Sequence, residues 1–318
     1  MPEPTTRRQM LSQSLTAAAA GTLLSHPTTA TAAEAEPALR EPFGYCFNTS
    51  TIRGQKLSLV EELEIAARAG FKGVEPWVAE LDEYTKTGGS LADLRKRIAD
   101  LGLSVESVIG FSPWVVNDDA KRAAGLEDAK RVMDITAQIG GKRIAAPASG
   151  IGDDDRPDLP TMANRYRALL EVGQQAGVVP MLELWGFSPL LSKLSEVSYV
   201  AIGADHPDAC ILADSYHLYK GGTPYENLRL LNGAEMFVFH INDYPGEPPR
   251  EEITDAHRVF PGDGVAPLGL LFRTLRDIGF RGMLSLEVFN REYWNQDALY
   301  IARAGFEKTR EAVLKALS

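Results

Sequence analysis

Cysteine is nearly absent, with 2 in 318 residues, so no disulfide framework organises this chain. Cys46 and Cys210 lie far apart in short apolar runs and read as two small buried hydrophobes. Basic charge is also in deficit, 33 Lys plus Arg against 43 Asp plus Glu. The resulting net charge of -10 repels a phosphate backbone and excludes nucleic acid as a general partner. Long apolar stretches are missing too. The uncharged run Leu15 to Leu24 falls well short of the roughly 20 residues a membrane helix needs, so no membrane insertion is expected. No G-x-G-x-x-G follows an early strand, which removes the usual cue for a dinucleotide.

What the N-terminus does contain is Arg7-Arg8-Gln9-Met10-Leu11, followed by that Ala-rich run and by small-x-small sites at Ala30-Thr31-Ala32 and Ala33-Glu34-Ala35. The pattern looks like a twin-arginine signal peptide over residues 1–32, removed near Ala32. It predicts export to the periplasm or outside the cell, with 33–42 as a linker and a single domain over 43–318.

From Phe43 onward, short β-rich runs alternate with longer segments of helical period. The strands predicted are Gly44–Phe47, Gly73–Glu75, Ser104–Ile109, Arg143–Ala146, Val179–Leu184, Ala209–Ala213, Met236–Ile241 and Gly282–Val288. Helices are expected near Leu59–Ala69, Leu91–Leu101, Ala120–Ile139, Thr161–Ala176, Ser192–Ile202, Pro224–Leu231, Leu268–Ile278 and Gln296–Ala316. Several close on a glycine just before the next strand, as at Gly70 and Gly177, where a left-handed cap is needed. Eight strand-helix pairs of this length predict an α/β fold, a single (β/α)8 TIM barrel, whose site forms at the carboxyl ends of its strands.

Four late strands end in a metal-ligand residue type: Glu183 in Met-Leu-Glu-Leu-Trp, Asp214 in Ile-Leu-Ala-Asp, His240 in Phe-Val-Phe-His and Glu287 in Leu-Ser-Leu-Glu. A barrel points all four toward one mouth. Three carboxylates and one imidazole suit a divalent metal, Mn²⁺ first and Mg²⁺ or Co²⁺ as alternatives, with room for substrate oxygens. Glu75 and Trp77 end the second strand and are candidates to line the same pocket. Aromatic residues that follow strand ends, Phe111 and Trp114, Trp185 and Phe187, and Phe289, offer faces on which the C–H side of a sugar stacks.

These strand ends, together with Asp214-Ser-Tyr-His217, His240-Ile-Asn-Asp243 and Arg258-Val-Phe-Pro-Gly-Asp-Gly264, resemble the xylose-isomerase-like barrels. That family includes sugar epimerases, hydroxypyruvate isomerase and inosose dehydratase. The resemblance runs from Phe43 to the C-terminus. It implies that Glu183 and Glu287 both bind the metal and act as an acid–base pair on opposite faces of a keto sugar, with Asp214 and His240 completing the metal shell. It also implies that His217 lies beside a substrate carbonyl or hydroxyl and that Arg258 holds sugar oxygens. Asp243 reads as loop structure.

The reaction expected is isomerisation or epimerisation of a ketose or keto-sugar through an enediolate. A lyase of the inosose or 3-keto-glycoside type is the principal alternative, because the same enediolate can expel a β-substituent. A non-catalytic sugar-binding barrel and an abasic-site endonuclease are the others. The endonuclease needs histidines for three zinc ions, and the chain has 5 in all. A missing Lys/Arg cluster at the late strand ends favours an unphosphorylated substrate. The long charged loop Tyr244 to His257 is expected either to cover the pocket or to serve a partner subunit in a homo-oligomer.

Overall fold

The computed structural model describes residues 41–152 and 156–318. The export segment and the linker, apart from Glu41 and Pro42, lie outside the described residues.

Eight parallel strands follow one another as β1 Gly44–Asn48, β2 Gly73–Glu75, β3 Ser104–Val105, β4 Arg143–Ala146, β5 Val179–Glu183, β6 Ile211–Asp214, β7 Val238–Ile241 and β8 Met283–Leu286. They are hydrogen-bonded in the order β3-β2-β1-β8-β7-β6-β5-β4. β3 is shorter than the sequence predicts. Beyond Val105 the chain keeps its bonds to β2 and its continuation, the Ile109 amide donating to the Pro76 carbonyl at 3.0 Å, while its other edge reaches β4: the Val108 amide donates to the Arg143 carbonyl at 3.2 Å and the Ala145 amide to the Val108 carbonyl at 3.0 Å. A bridge between Val108 and Ile144 therefore joins the two outer strands and closes the ring. The fold is the predicted (β/α)8 barrel.

Long helices pack outside the strands at Leu59–Ala69, Leu91–Asp100, Asp119–Gln138, Leu159–Ala176, Leu194–Gly203, Leu268–Asp277 and Ala298–Leu317. The helix expected over Pro224–Leu231 is instead a 3-10 turn, Tyr225–Leu230, preceded by a short α-helix at Ser215–Lys220. The cause is local. Asp214 caps the short helix by accepting the His217 amide at 2.8 Å, and Gly222 ends it with φ of +75°, which leaves too little chain for a full crossover helix. Sequence periodicity also missed Thr49–Gln55 and Arg291–Trp294, too short to show a helical period, and the helix Val78–Lys86, which fully buries only Leu81 and so carries little apolar pattern.

Strand alternation fixes which side chains face inward. Ile109, Ala145, Met181, Leu212 and Val238 pack together inside the barrel, and Cys210 joins them as a buried hydrophobe. Two residues beyond Met181, Leu212 and Val238 on the same faces stand Glu183, Asp214 and His240. Leu182, Ala213 and Phe239 point the other way, into the layer shared with the helices. The floor of the barrel is therefore apolar and its C-terminal layer is polar and ionisable.

Asp243, just past β7, organises the loop that follows. Its carboxylate accepts four backbone amides, those of Tyr244 at 2.8 Å, Gly262 at 3.0 Å, Gly264 at 3.1 Å and Ala266 at 2.9 Å. Gly264 is required there because a Cβ would stand 2.2 Å from the Tyr244 carbonyl oxygen. Replacing Asp243 with Ala orphans four amides, and we expect a loss of about 2–4 kcal/mol of unfolding free energy, read from denaturant midpoints. A change under about 0.5 kcal/mol would mean that the loop holds its shape without the carboxylate.

Candidate active site

Asp214, His240 and Glu287 are buried, and one ligand atom from each lies within 4.8 Å of the others. Neighbouring strands supply them, since Asp214 pairs in register with His240, and the Glu287 amide donates to the Ile241 carbonyl at 3.3 Å. His240 Nδ1 lies 3.4 Å from Glu287 Oε2, 4.0 Å from Asp214 Oδ2 and 3.9 Å from Glu183 Oε1. Glu183 thus borders the three from the β5 side.

Arg258 reaches the same centre from the loop after β7. Only 1% exposed, it sets Nη1 2.8 Å from Glu287 Oε2 and 3.2 Å from Asp214 Oδ2. Its Nη2 donates to His217 Nε2 at 3.0 Å and pairs with Asp255. Asp255 thereby serves as a partner of Arg258. His217 is buried beside that guanidinium, and both burial and the positive charge hold its pKa well below the usual imidazole range. Its Nε2 is then an acceptor, and its Nδ1–H has no protein partner.

The structure does not bring every predicted residue to the mouth. Glu75 is fully buried behind His240, with Oε2 3.1 Å from His240 Nε2 and bonded to the Ser285 hydroxyl. It stands in ion-pair contact behind the imidazole instead of lining a pocket. Trp114 is also displaced. Its indole N–H donates to the Pro147 carbonyl at 2.9 Å and its ring packs on Tyr166, so it belongs to the core.

Trp185 and Phe289 do stand at the rim, in a closed chain of rings over the centre. Phe289 meets Trp77 at 6.0 Å, Trp77 meets Phe111 at 5.3 Å, and Phe111 stacks on Trp185 at 5.6 Å. Trp185 meets Phe187 at 4.9 Å, and Phe187 meets His217 at 5.3 Å. Arg258 closes the circuit with its guanidinium carbon 5.1 Å from the Phe289 ring. The long loop from Tyr244 to His257, expected either to cover the pocket or to serve a partner subunit, is tied to the barrel: Lys220 Nζ donates to the carbonyls of Arg250, Glu251 and Ile253.

Sequence reasoning missed two asparagines. Asn48 Nδ2 donates to Glu287 Oε1 at 3.2 Å while its own oxygen accepts the Trp77 indole at 2.9 Å. Asn242 Nδ2 donates to Asp214 Oδ2 at 3.0 Å. Asn48 is the last residue of β1, so the strand-end rule that found the ligands would have found it as well.

The two glutamates at this centre differ sharply in proton affinity. Burial, then the neighbouring Glu287, Asp214 and Glu75 carboxylates, push Glu183 up to about 8 against the opposing pull of His240. Burial would raise Glu287 too, but His240 and Arg258 outweigh it and hold that carboxyl far below the usual range. Burial disfavours a charged His240, yet the Glu287 and Glu75 carboxylates raise its pKa well above the ordinary value.

The donor set fits a divalent cation on its own chemistry. His240 Nδ1 and Glu183 Oε2 are buried without hydrogen-bond partners, and the surrounding carboxylates outnumber the local cations. Three carboxylates with one imidazole make a hard-to-borderline site. Among the described residues no second such group occurs, so a trinuclear cluster of the endonuclease kind is not built here.

A parallel eight-stranded barrel with a carboxylate–imidazole centre at the C-terminal ends of its strands defines a class of metal-binding barrel enzymes. The family model of the xylose isomerase-like TIM barrel matches residues 63–312, and the chain belongs to that family. It is 26% identical to an inosose isomerase of Bacillus velezensis over 277 residues, covering 85% of this chain and 97% of the relative. It is 28% identical to a 3-dehydroshikimate dehydratase of Pseudomonas putida over 238 residues, 73% of this chain but only 36% of that longer protein. In three dimensions it matches a crystal structure of the IOLI protein with a zinc atom bound, with a TM-score of 0.79 at 23% identity, covering 86% of this chain and 99% of the other.

Proposed function

We propose that the protein is a divalent-metal-dependent isomerase or epimerase of an α-hydroxy ketone, a keto-sugar or cyclic polyol ketone, using Glu287 as base and Glu183 as acid. One observation carries this reading: two glutamates from different strands meet at one buried centre, Glu183 Oε1 standing 3.9 Å and Glu287 Oε2 3.4 Å from the same His240 Nδ1, so that a ketone held there has a carboxyl group on either side. Asp214, His240, Glu183 and Glu287 would hold the ion. When bound, it would polarise the ketone and stabilise the negative charge of an enediolate. Mn²⁺ is the first choice for an oxygen-rich site of this kind, and the zinc atom in the IOLI structure keeps Zn²⁺ on the list to test.

Glu287 takes the proton from the α-carbon and Glu183 returns one, either to the opposite face or to the neighbouring carbon, in which case the hydroxyl proton also passes from one enediolate oxygen to the other. The first outcome epimerises and the second isomerises. Each glutamate ends in the other's starting state, and exchange with water resets the pair. His217 offers its Nδ1–H to a substrate oxygen, and the rim aromatics cover the C–H face and exclude water.

A dehydratase reading shares the first half of this cycle, and the similarity to the 3-dehydroshikimate dehydratase supports it. There the electrons of the enediolate expel a β-hydroxyl, which leaves as water with the acid's proton. We also propose, from the Arg7-Arg8 motif, that the enzyme is exported and works outside the cytoplasm.

Proton NMR in D₂O tests the chemistry. With Mn²⁺-loaded protein and a panel of 2-keto-myo-inositol, free ketoses and 3-keto glycosides, we expect deuterium to enter at one α-carbon, to stop on adding EDTA and to resume with Mn²⁺. A new signal set with all carbons retained supports isomerase or epimerase, and an alkene signal supports the dehydratase. Turnover without α-deuteration would reject the enolisation mechanism.

A further inference from the structure

Arg53 stands on the catalytic face, in the short 3-10 turn Thr49–Gln55 directly after β1. Its guanidinium carbon lies 3.8 Å from the centroid of the Trp77 ring and 5.7 Å from that of Phe289. Phe289 is the same ring that Arg258 approaches at 5.1 Å. The two guanidiniums therefore share one aromatic neighbour, but their situations differ. Arg258 is enclosed, and its donors are taken up by Asp214, Glu287, His217 and Asp255. Arg53 is half-buried. The carboxylates around it, Glu80, Glu287 and Glu62, act on it through space, and Glu80 accepts both the Trp77 amide and the Thr49 hydroxyl on Oε2.

A guanidinium held over an indole ring is partly pre-oriented, so less rotamer freedom remains to be lost when its fork of N–H donors takes a planar anion. Trp77 is itself fixed, because its indole N–H is tied to Asn48, which holds Glu287. The cation is thus registered to the catalytic carboxylate through two hydrogen bonds. An α-hydroxy ketone seated on the buried centre would extend outward past Phe289, between aromatic faces that contribute no charge, and would meet Arg53 at the rim.

We propose that Arg53 is a specificity residue that binds a carboxylate on the substrate, so that the preferred substrate is an α-hydroxy ketone bearing one carboxylate group. A carboxylate fits better than a phosphate, because a dianion would call for a second cation and Arg258 is already engaged. The proposal rests on the reading that an α-hydroxy ketone binds at the Glu183–Asp214–His240–Glu287 centre. Arg53 neither holds the ion nor moves a proton, and its effect is confined to which ketone is held.

Two six-membered ring ketones that differ in the carboxylate make the test: 3-dehydroshikimate, which carries one, and 2-keto-myo-inositol, which does not. Calorimetric titration of the Mn²⁺-loaded full-length protein should give at least tenfold tighter binding of 3-dehydroshikimate. In Arg53→Gln that preference should fall to about twofold or less, and Arg53→Lys should keep part of it, with circular dichroism and the melting temperature of both variants close to wild type. Equal binding of both ketones by the wild type would overturn the role of Arg53 while leaving the ketone site standing. So would an Arg53→Gln variant that weakens both ligands by the same factor, because Arg53 would then be only a support for Trp77. Binding of neither ketone would overturn the site reading and the proposal together.

Discussion

Glu287→Gln should lose at least about a thousandfold in kcat while keeping the fold. General-base catalysis alone accounts for about 10²–10⁴ in rate, and this residue is also placed to hold the ion. The substitution is close to isosteric, and the amide oxygen can keep the bond from Asn48 Nδ2. What it removes is the negative charge facing Arg258 at 2.8 Å and His240 at 3.4 Å. Deuterium wash-in should stop along with turnover, because removal of the α-proton is the step lost. Circular dichroism should be unchanged and the melting temperature should fall by no more than a few degrees. Retention of a tenth or more of wild-type turnover would sink the assignment of Glu287 as base and pass the role to Glu183.

Asp214→Asn should separate metal binding from proton transfer. Asp214 Oδ1 accepts the His217 amide, and Oδ2 accepts from Asn242 and Arg258. An asparagine can keep its oxygen on the cap, but its NH₂ then faces two donors with nothing to accept. We expect metal content after dialysis, measured by plasma mass spectrometry, to drop from about one ion per chain to below a tenth, with activity falling in parallel. Stability should drop by about 1–3 kcal/mol, the range for a buried donor left without its partner. Full metal occupancy in this variant would remove Asp214 from the ligand set. Restoration of activity by millimolar Mn²⁺ would show instead that affinity was lost and the catalytic groups were intact.

Much of the fold was legible because it depends on local periodicity. Short β-rich runs separated by amphipathic segments specify strand and helix with little help from the rest of the chain, and glycines such as Gly70, with φ of +110°, mark where helices must end. The errors fell where local pattern carries little information. At β3 the regular ladder stops at Val105, and beyond it isolated bridges tie the chain to Trp77 on one side and to Ile144 on the other, a pattern that ring closure dictates. After β6, the cap by Asp214 and the turn at Gly222 replace a crossover helix.

The site was legible in the same uneven way. Glu183, Asp214, His240 and Glu287 were found because period-two alternation and the strand-end position put them on the inner face, and that rule needs no coordinates. Arg53 was missed because it lies in a seven-residue turn whose direction no sequence period reveals. Glu75 ends its strand by the same rule as the ligands, yet it stands on the Nε2 side of His240, with Oε2 3.1 Å away, a placement only the folded barrel defines.

By itself, then, the sequence determined the barrel, the face on which its ionisable residues collect, and four residues able to hold a divalent ion. Tertiary structure alone decided the charges that surround each of them. Glu183 and Glu287 occupy the same kind of strand end and are indistinguishable in sequence, but Glu287 faces Arg258 and His240 whereas Glu183 faces mainly other carboxylates. Proton affinity inside a protein is a sum over every nearby charge, and here those charges arrive from strands and loops far apart in the chain.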